Sequence, residues 1–147
     1  MRRIYYNSWL AKWLLAKDYD TAMLFGVICT KLPKWSKLPE ITKCHESIHA
    51  EQYREVTWLA FCVALVLQVI FGGGWWFVPV PVAYYLLYFL EAVISIAVHV
   101  ARKGWMSALE TAYENSMFEK EAFDGELTPE YIESRRFCAF LRYFGKI

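Results

Sequence analysis

Residues 56–76 read Val-Thr-Trp-Leu-Ala-Phe-Cys-Val-Ala-Leu-Val-Leu-Gln-Val-Ile-Phe-Gly-Gly-Gly-Trp-Trp. No charge interrupts Val56 to Phe71. Three glycines stop the run and two tryptophans come next. A second apolar run continues to Val100, broken only by Glu91 and His99, and closes on Arg102-Lys103. Two apolar runs joined by a Gly-rich turn predict a helical hairpin. As a helix, Val56–Phe71 would span about 24 Å, slightly short of the roughly 30 Å hydrocarbon core of a bilayer. The residues from Tyr53 to Val56 can be drawn in, or the bilayer can thin locally. The second run, over residues 76–100, carries Pro79 and Pro81 near its start and is long enough to cross. A soluble reading would need this small domain to bury nearly all of Val56–Val100, which its surface-to-volume ratio disfavours.

Composition agrees with a membrane setting. Of 147 residues, 57% are hydrophobic and 18% aromatic, and the net charge is only +1. Trp and Tyr in such excess suit membrane–water interfaces, and near-neutrality gives no reason to expect a nucleic-acid partner. The four cysteines, Cys29, Cys44, Cys62 and Cys138, form no C-x-x-C pair and read as free thiols. Met1-Arg2-Arg3 is a basic start, but Asn7, Lys12, Lys17 and Asp18 deny the next stretch an apolar core, so a cleavable signal peptide is not expected. Lys31, Lys34, Lys37, Lys43, Arg54, Arg102 and Lys103 flank one side of the hairpin and the Gly72–Trp76 turn has no charge. The positive-inside rule then puts both termini in the cytoplasm.

On the N-terminal side, the first run grows out of Ala50-Glu51-Gln52-Tyr53-Arg54-Glu55, and before that out of His45-Glu46-Ser47-Ile48-His49. On a helix starting near Glu40 to Lys43, residues four apart share a face, so His45 and His49 can hold one metal ion. Glu46 projects near that face and can take a proton from water there. Two histidines with an open position favour Zn2+. Cys44 adjoins the motif and is a conceivable ligand, although a small buried residue is the simpler reading. Gln52, one turn after His49, is a candidate for substrate contact or support of a ligand. Further upstream, residues 22–30 read as a strand, leading into a lysine-rich loop, and residues 4–16 as an amphipathic helix with two tryptophans.

On the C-terminal side, Trp105–Glu121 reads as a helix, Thr128-Pro129 as a helix start with Thr as N-cap, and Tyr131–Phe144 as an amphipathic stretch. Downstream, Glu119 and Glu121 are the first two acids to consider for a third ligand. Glu114 and His99 are weaker candidates. Tyr113 and Asn115 are candidates for substrate contact or ligand support. Glu91 lies deep in an apolar run, where an acid needs a partner; a tyrosine across the bundle or across an interface between copies would serve.

The H-E-x-x-H together with the Glu119 segment resembles integral-membrane gluzincins such as the CAAX prenyl protease and the bacterial heat-shock membrane protease. More closely, the chain looks like a family of small bacterial membrane proteins. Their pattern is a short apolar strand, H-E-x-x-H-x-x-Q, a hydrophobic hairpin, then N-x-F-E-x-E-A-[YF]. Here those features are Ala22–Thr30, His45–Gln52, Val56–Val100 and Asn115–Phe123, with one extra residue between Asn115 and Phe118. The resemblance runs from about residue 22 to 144. It implies that His45, His49 and Glu119 are zinc ligands and Glu46 the general base. It also implies a bacterial inner-membrane location, and a peptide that pairs along Ala22–Thr30. The larger proteases place an acid just after E-x-x-A; this chain has Phe123 there, with Asp124 one residue late.

The expectation is a mainly α membrane protein forming a single metallopeptidase-like domain over residues 1–147. It comprises an interfacial helix (1–20), a strand and loop (21–44), a zinc-motif helix continuing into the first span (45–71), a second span (76–100) and C-terminal helices (105–147). Its partners would be membrane lipids, a peptide or protein substrate, and a second copy of the chain in a homo-oligomer, with no nucleic acid. The rival expectations are a catalytically silent metal-binding scaffold and a hydrolase of a lipid-linked amide or ester.

Overall fold

A computed structural model describes residues 3–103, 116–128 and 130–145. It is mainly helical, with one three-stranded sheet. Two compact units emerge, Met1–Glu51 with Ala122–Arg136 and Gln52–Glu121 with Phe137–Ile147. The sequence reads as one domain; two helices each contribute residues to both units.

In the first unit, strand β1 (Ile4–Tyr5) pairs in parallel with β3 (Val27–Thr30), and β2 (Thr21–Leu24) pairs with β3 antiparallel, giving the order β1-β3-β2. The expected helix over 4–16 is therefore shorter. Asn7, with φ of 53°, turns the chain after β1, a conformation Asn tolerates. Ser8 then caps α1 (Trp9–Leu14), its hydroxyl accepting from Ala11 N–H. The single strand expected over 22–30 is a hairpin. Phe25 and Gly26 both take positive φ, 51° and 78°, as a two-residue turn of the right twist requires.

Helix α2 (Glu40–Phe71) begins where expected, just after Pro39, with Glu40 in its first turn. Its 32 residues form one unbroken helix of about 48 Å. Gly72 and Gly73, at φ of 69° and 79°, end it in the left-handed region that glycine reaches without penalty.

The second unit holds the return leg. Pro79 and Pro81 lack the N–H an α-helix needs, so residues 75–82 form two 3-10 turns, Trp75–Phe77 and Val80–Val82, before α3 (Ala83–Lys103) starts. Phe77 meets Phe61 at 5.6 Å, and the Tyr53 hydroxyl donates to the Pro81 carbonyl at 3.0 Å. Tyr53 also meets the rings of Tyr84 and Tyr85. The stretch beside the apolar half of α2 is thus mainly residues 75–82, and α3 begins level with Tyr53. The interruption that Pro79 and Pro81 make early in the second run is thus a return leg of 3-10 turns.

Two stretches, Glu40–Phe71 and Trp75–Val98, are long and apolar enough to cross a membrane. Neither is a buried core helix: Trp58, Leu65, Val66, Ile70 and Phe71 of α2 are exposed, Val69 retains 81% of its surface, and Leu86, Phe89, Leu90, Val93 and Ile94 of α3 are exposed.

Helix α4 (Met117–Gly125) begins inside the stretch expected to be helical from Trp105 and runs past Glu121; residues 104–115 lie outside those described. The helix start expected at Thr128 falls two residues later. Glu130 is the N-cap of α5 (Tyr131–Ser134), and Thr128 contributes only its carbonyl, to Tyr131 N–H. The long C-terminal stretch is not one helix either. Cys138 at φ of 54° breaks it before a 3-10 helix, Ala139–Tyr143, which sets Phe140 against Phe118 at 4.9 Å.

Candidate metal centre

The H-E-x-x-H turn lies on α2, where helical spacing stacks His45 above His49. Their Nε2 atoms are 3.1 Å apart and their ring centroids 4.7 Å. Two nitrogens bound tetrahedrally to one zinc at 2.0–2.1 Å would sit about 3.3 Å apart, so the pair fits one ion. Ligand-capable atoms of His45, His49 and Glu119 all lie within 4.8 Å of one another, and the group can hold a metal ion. His49 and Glu119 are buried and His45 is half-buried.

His45 is oriented by a residue that motif spacing did not bring forward. Its Nδ1 lies 2.8 Å from Glu126 Oε2. A carboxylate accepts, so Nδ1 carries the proton and Nε2 keeps the lone pair a metal needs. Phe123 stands where the larger proteases that the chain resembles carry an acid; in this chain the carboxylate that meets His45 is that of Glu126. Seven residues beyond Glu119 is two helical turns, and Glu126 N–H still donates to the Ala122 carbonyl, so the helical path extends far enough. That seven-residue spacing was the available signal. Phe123, in the position where an acid is usual, sets its ring edge against His45 at 5.1 Å.

Glu46 is buried, and its Oε2 accepts from the Met23 backbone N–H at 2.6 Å. Met23 lies on β2, at an edge of the sheet, so the outer edge of the strand meets the candidate base. One glycine permits close approach here. A Cβ on Gly125 would stand 2.7 Å from Ile48 Cδ1 and 2.6 Å from the Tyr131 ring. Cys44 is not a ligand. Its Sγ donates toward the Gly125 and Thr128 carbonyls at 3.6 and 3.8 Å. Burial, then the nearby Glu126 carboxylate, push its pKa above the usual thiol value. Cys29, Cys44, Cys62 and Cys138 form no disulfide with one another.

Glu121, the rival third ligand, is not in the group the structure brings together. Two residues from Glu119, it points about 200° around the helix, is fully buried, and accepts from Gln52 Nε2 at 2.9 Å. Gln52 is fully buried too. Its Nε2 also donates to the Phe118 carbonyl at 3.0 Å, and its Oε1 accepts from Tyr84 at 3.3 Å. So placed, Gln52 supports the helix that carries Glu119. Glu119 itself accepts from the Tyr88 hydroxyl at 3.0 Å. Among the described residues, Glu91 accepts from Ser116 Oγ at 2.9 Å and Met117 N–H at 2.7 Å, at the start of α4. Tyr113, Glu114 and Asn115 lie outside the described residues, as does the side chain of His99.

No protein-family model, curated protein or solved structure matches the chain.

Proposed function

We propose that this protein is a zinc-dependent hydrolase that cleaves a peptide bond in a membrane-proximal substrate. The observation that carries the reading is the convergence of His45, His49 and Glu119, two imidazoles and one carboxylate within reach of one ion. That donor set leaves a coordination position open, as catalytic zinc sites do. Zinc, when bound, would polarise the scissile carbonyl and bring the pKa of a water toward about 7. The protein's own groups do the rest. Glu46 takes the proton from water as its oxygen adds to the acyl carbon, and returns that proton to the departing amine as the C–N bond breaks. Glu126 holds the His45 tautomer. The Met23 N–H fixes one oxygen of Glu46, and the other carries the proton.

The exposed apolar faces of α2 and α3 support a membrane location for this chemistry. In this reading both apolar helices lie in a bacterial inner membrane and the motif faces the cytoplasm. The rival reading is a catalytically silent metal-binding scaffold, in which the metal is held but Glu46 moves no proton. The variant Glu46→Gln separates the two. Hydrolysis of a peptide substrate in detergent with lipid is expected to fall about 10²- to 10⁴-fold with metal content unchanged. Unaltered function in Glu46→Gln would favour the scaffold.

A further inference from the structure

Helix α3 is apolar, yet a polar stripe runs along it. Tyr84, Tyr88, Glu91 and Ser95 are spaced four, three and four residues apart, the spacing of a single helix face. The first three all reach α4 or its support. Tyr84 donates to Gln52 Oε1, and Gln52 in turn holds the Phe118 carbonyl and Glu121. Tyr88 donates to Glu119 Oε1. Glu91 takes the Ser116 hydroxyl and the Met117 N–H, while Ser116 Oγ accepts from Phe118 N–H at 3.3 Å. A carboxylate at a helix N-terminus satisfies donors the helix leaves over and complements its dipole. The ring of Tyr88 lies parallel to that of Phe118, 5.8 Å away and tilted by 15°. This packing fixes where the hydroxyl stands. The polar groups of an otherwise apolar helix are therefore spent on the first turn of the helix that carries Glu119.

We propose that Tyr88 is a positioning residue of the metal centre, with Glu91 supporting it. Tyr88 sets the rotation of the Glu119 carboxylate so that it meets the ion in one orientation, and Glu91 sets the start of α4 on which Glu119 stands. The inference rests on the reading of His45, His49 and Glu119 as a metal centre. It adds that α3 governs how tightly the ion is held. Losing an outer partner of a metal ligand costs about 10- to 100-fold in metal affinity.

The test uses the full chain in detergent or lipid nanodiscs. Zn2+ affinity is measured by chelator competition, and the Co2+-substituted protein supplies a visible spectrum that reports the ligand field. Tyr88→Phe removes one hydroxyl and leaves the ring. It is expected to lower Zn2+ affinity about 10- to 100-fold and to shift the Co2+ bands, with the melting temperature near that of the wild type. Glu91→Gln keeps an acceptor for Met117 N–H and is expected to lose less. Tyr85→Phe, the same change at a position off the stripe, is expected to keep wild-type affinity and bands. Unchanged Zn2+ affinity in Tyr88→Phe, or an equal loss in Tyr85→Phe, overturns the proposal. His49→Ala separates this from the underlying reading. If it binds Zn2+ as tightly as the wild type, the metal centre itself is misassigned. If it loses Zn2+ while Tyr88→Phe does not, only the role of Tyr88 fails.

Discussion

The stretch from Cys44 to Glu55 and the stretch from Val56 to Phe71 belong to the same helix and obey opposite rules. In the first, Glu46, Ser47, His49, Gln52 and Glu55 are buried. In the second, Trp58, Leu59, Phe61, Val63, Leu65, Val66, Val69, Ile70 and Phe71 are exposed. Buried polar groups are costly unless bonded, and bonds from Gln52 to Glu121, from Met23 to Glu46 and from His45 to Glu126 offset part of that cost in the first stretch. The second stretch has few polar groups to satisfy and presents its apolar side chains outward. One helix thus joins a stretch of buried polar groups to a stretch of exposed apolar ones, without any break between them.

The largest effect should come from putting charge into the exposed half. Val66→Arg places a cation on a face assigned to lipid, at a cost of about 2.5–3.5 kcal/mol near the centre of a span. Alkaline washing of membranes is expected to release more of this variant than of the wild type. Equal retention would remove the lipid assignment of that half.

Next comes the same substitution made in both halves. Gln52→Leu strips the Phe118 carbonyl and Glu121 of a donor, and should cost about 1–3 kcal/mol, read as a lower melting temperature in detergent. Gln68 has a buried Oε1 with no hydrogen-bond partner among the described residues, so Gln68→Leu should be neutral or stabilising. Equal losses at the two positions would erase the distinction between the halves.

A smaller effect, confined to the site, is expected from Glu126→Gln. The amide still accepts from His45 but carries no charge, so metal affinity should drop by about tenfold, measured by chelator competition, with little change in melting temperature. Unchanged affinity would show that Glu126 does not tune His45.

Much of the long helix was legible because its signals are local. An uncharged run, a glycine stop and a four-residue histidine spacing each need only neighbouring residues. The first thirty residues were read less well because their structure is decided at a distance. Ile4 and Tyr5 become a strand through pairing with Ile28 and Cys29, and the turn at Phe25-Gly26 hides behind an aromatic residue uncommon there. The two prolines at 79 and 81 stand out in the sequence, but their consequence, a 3-10 return leg that delivers Tyr84 and Tyr88 to α4, depends on tertiary contacts. In the site, the pairing of His45 with His49 was legible from motif spacing, and Glu119, which the structure groups with them, from the resemblance. Glu126 was missed because the acid was sought immediately after Ala122, whereas the imidazole meets it one turn later. Tyr88 was hidden by the apolar character of α3, although its spacing with Tyr84 and Glu91 marks a polar face; Glu91 stood out in the sequence, but its partners at the start of α4 did not.

The central claim is that His45, His49 and Glu119 hold one catalytic ion at the head of an apolar helix. Metal content per chain, measured on protein purified with Zn2+ supplied and excess removed, tests it most directly. About one zinc per wild-type chain is expected, with near-complete loss in both His49→Ala and Glu119→Ala while the proteins remain folded. Zinc retained at the wild-type level in Glu119→Ala, or absent from the wild type, would contradict it.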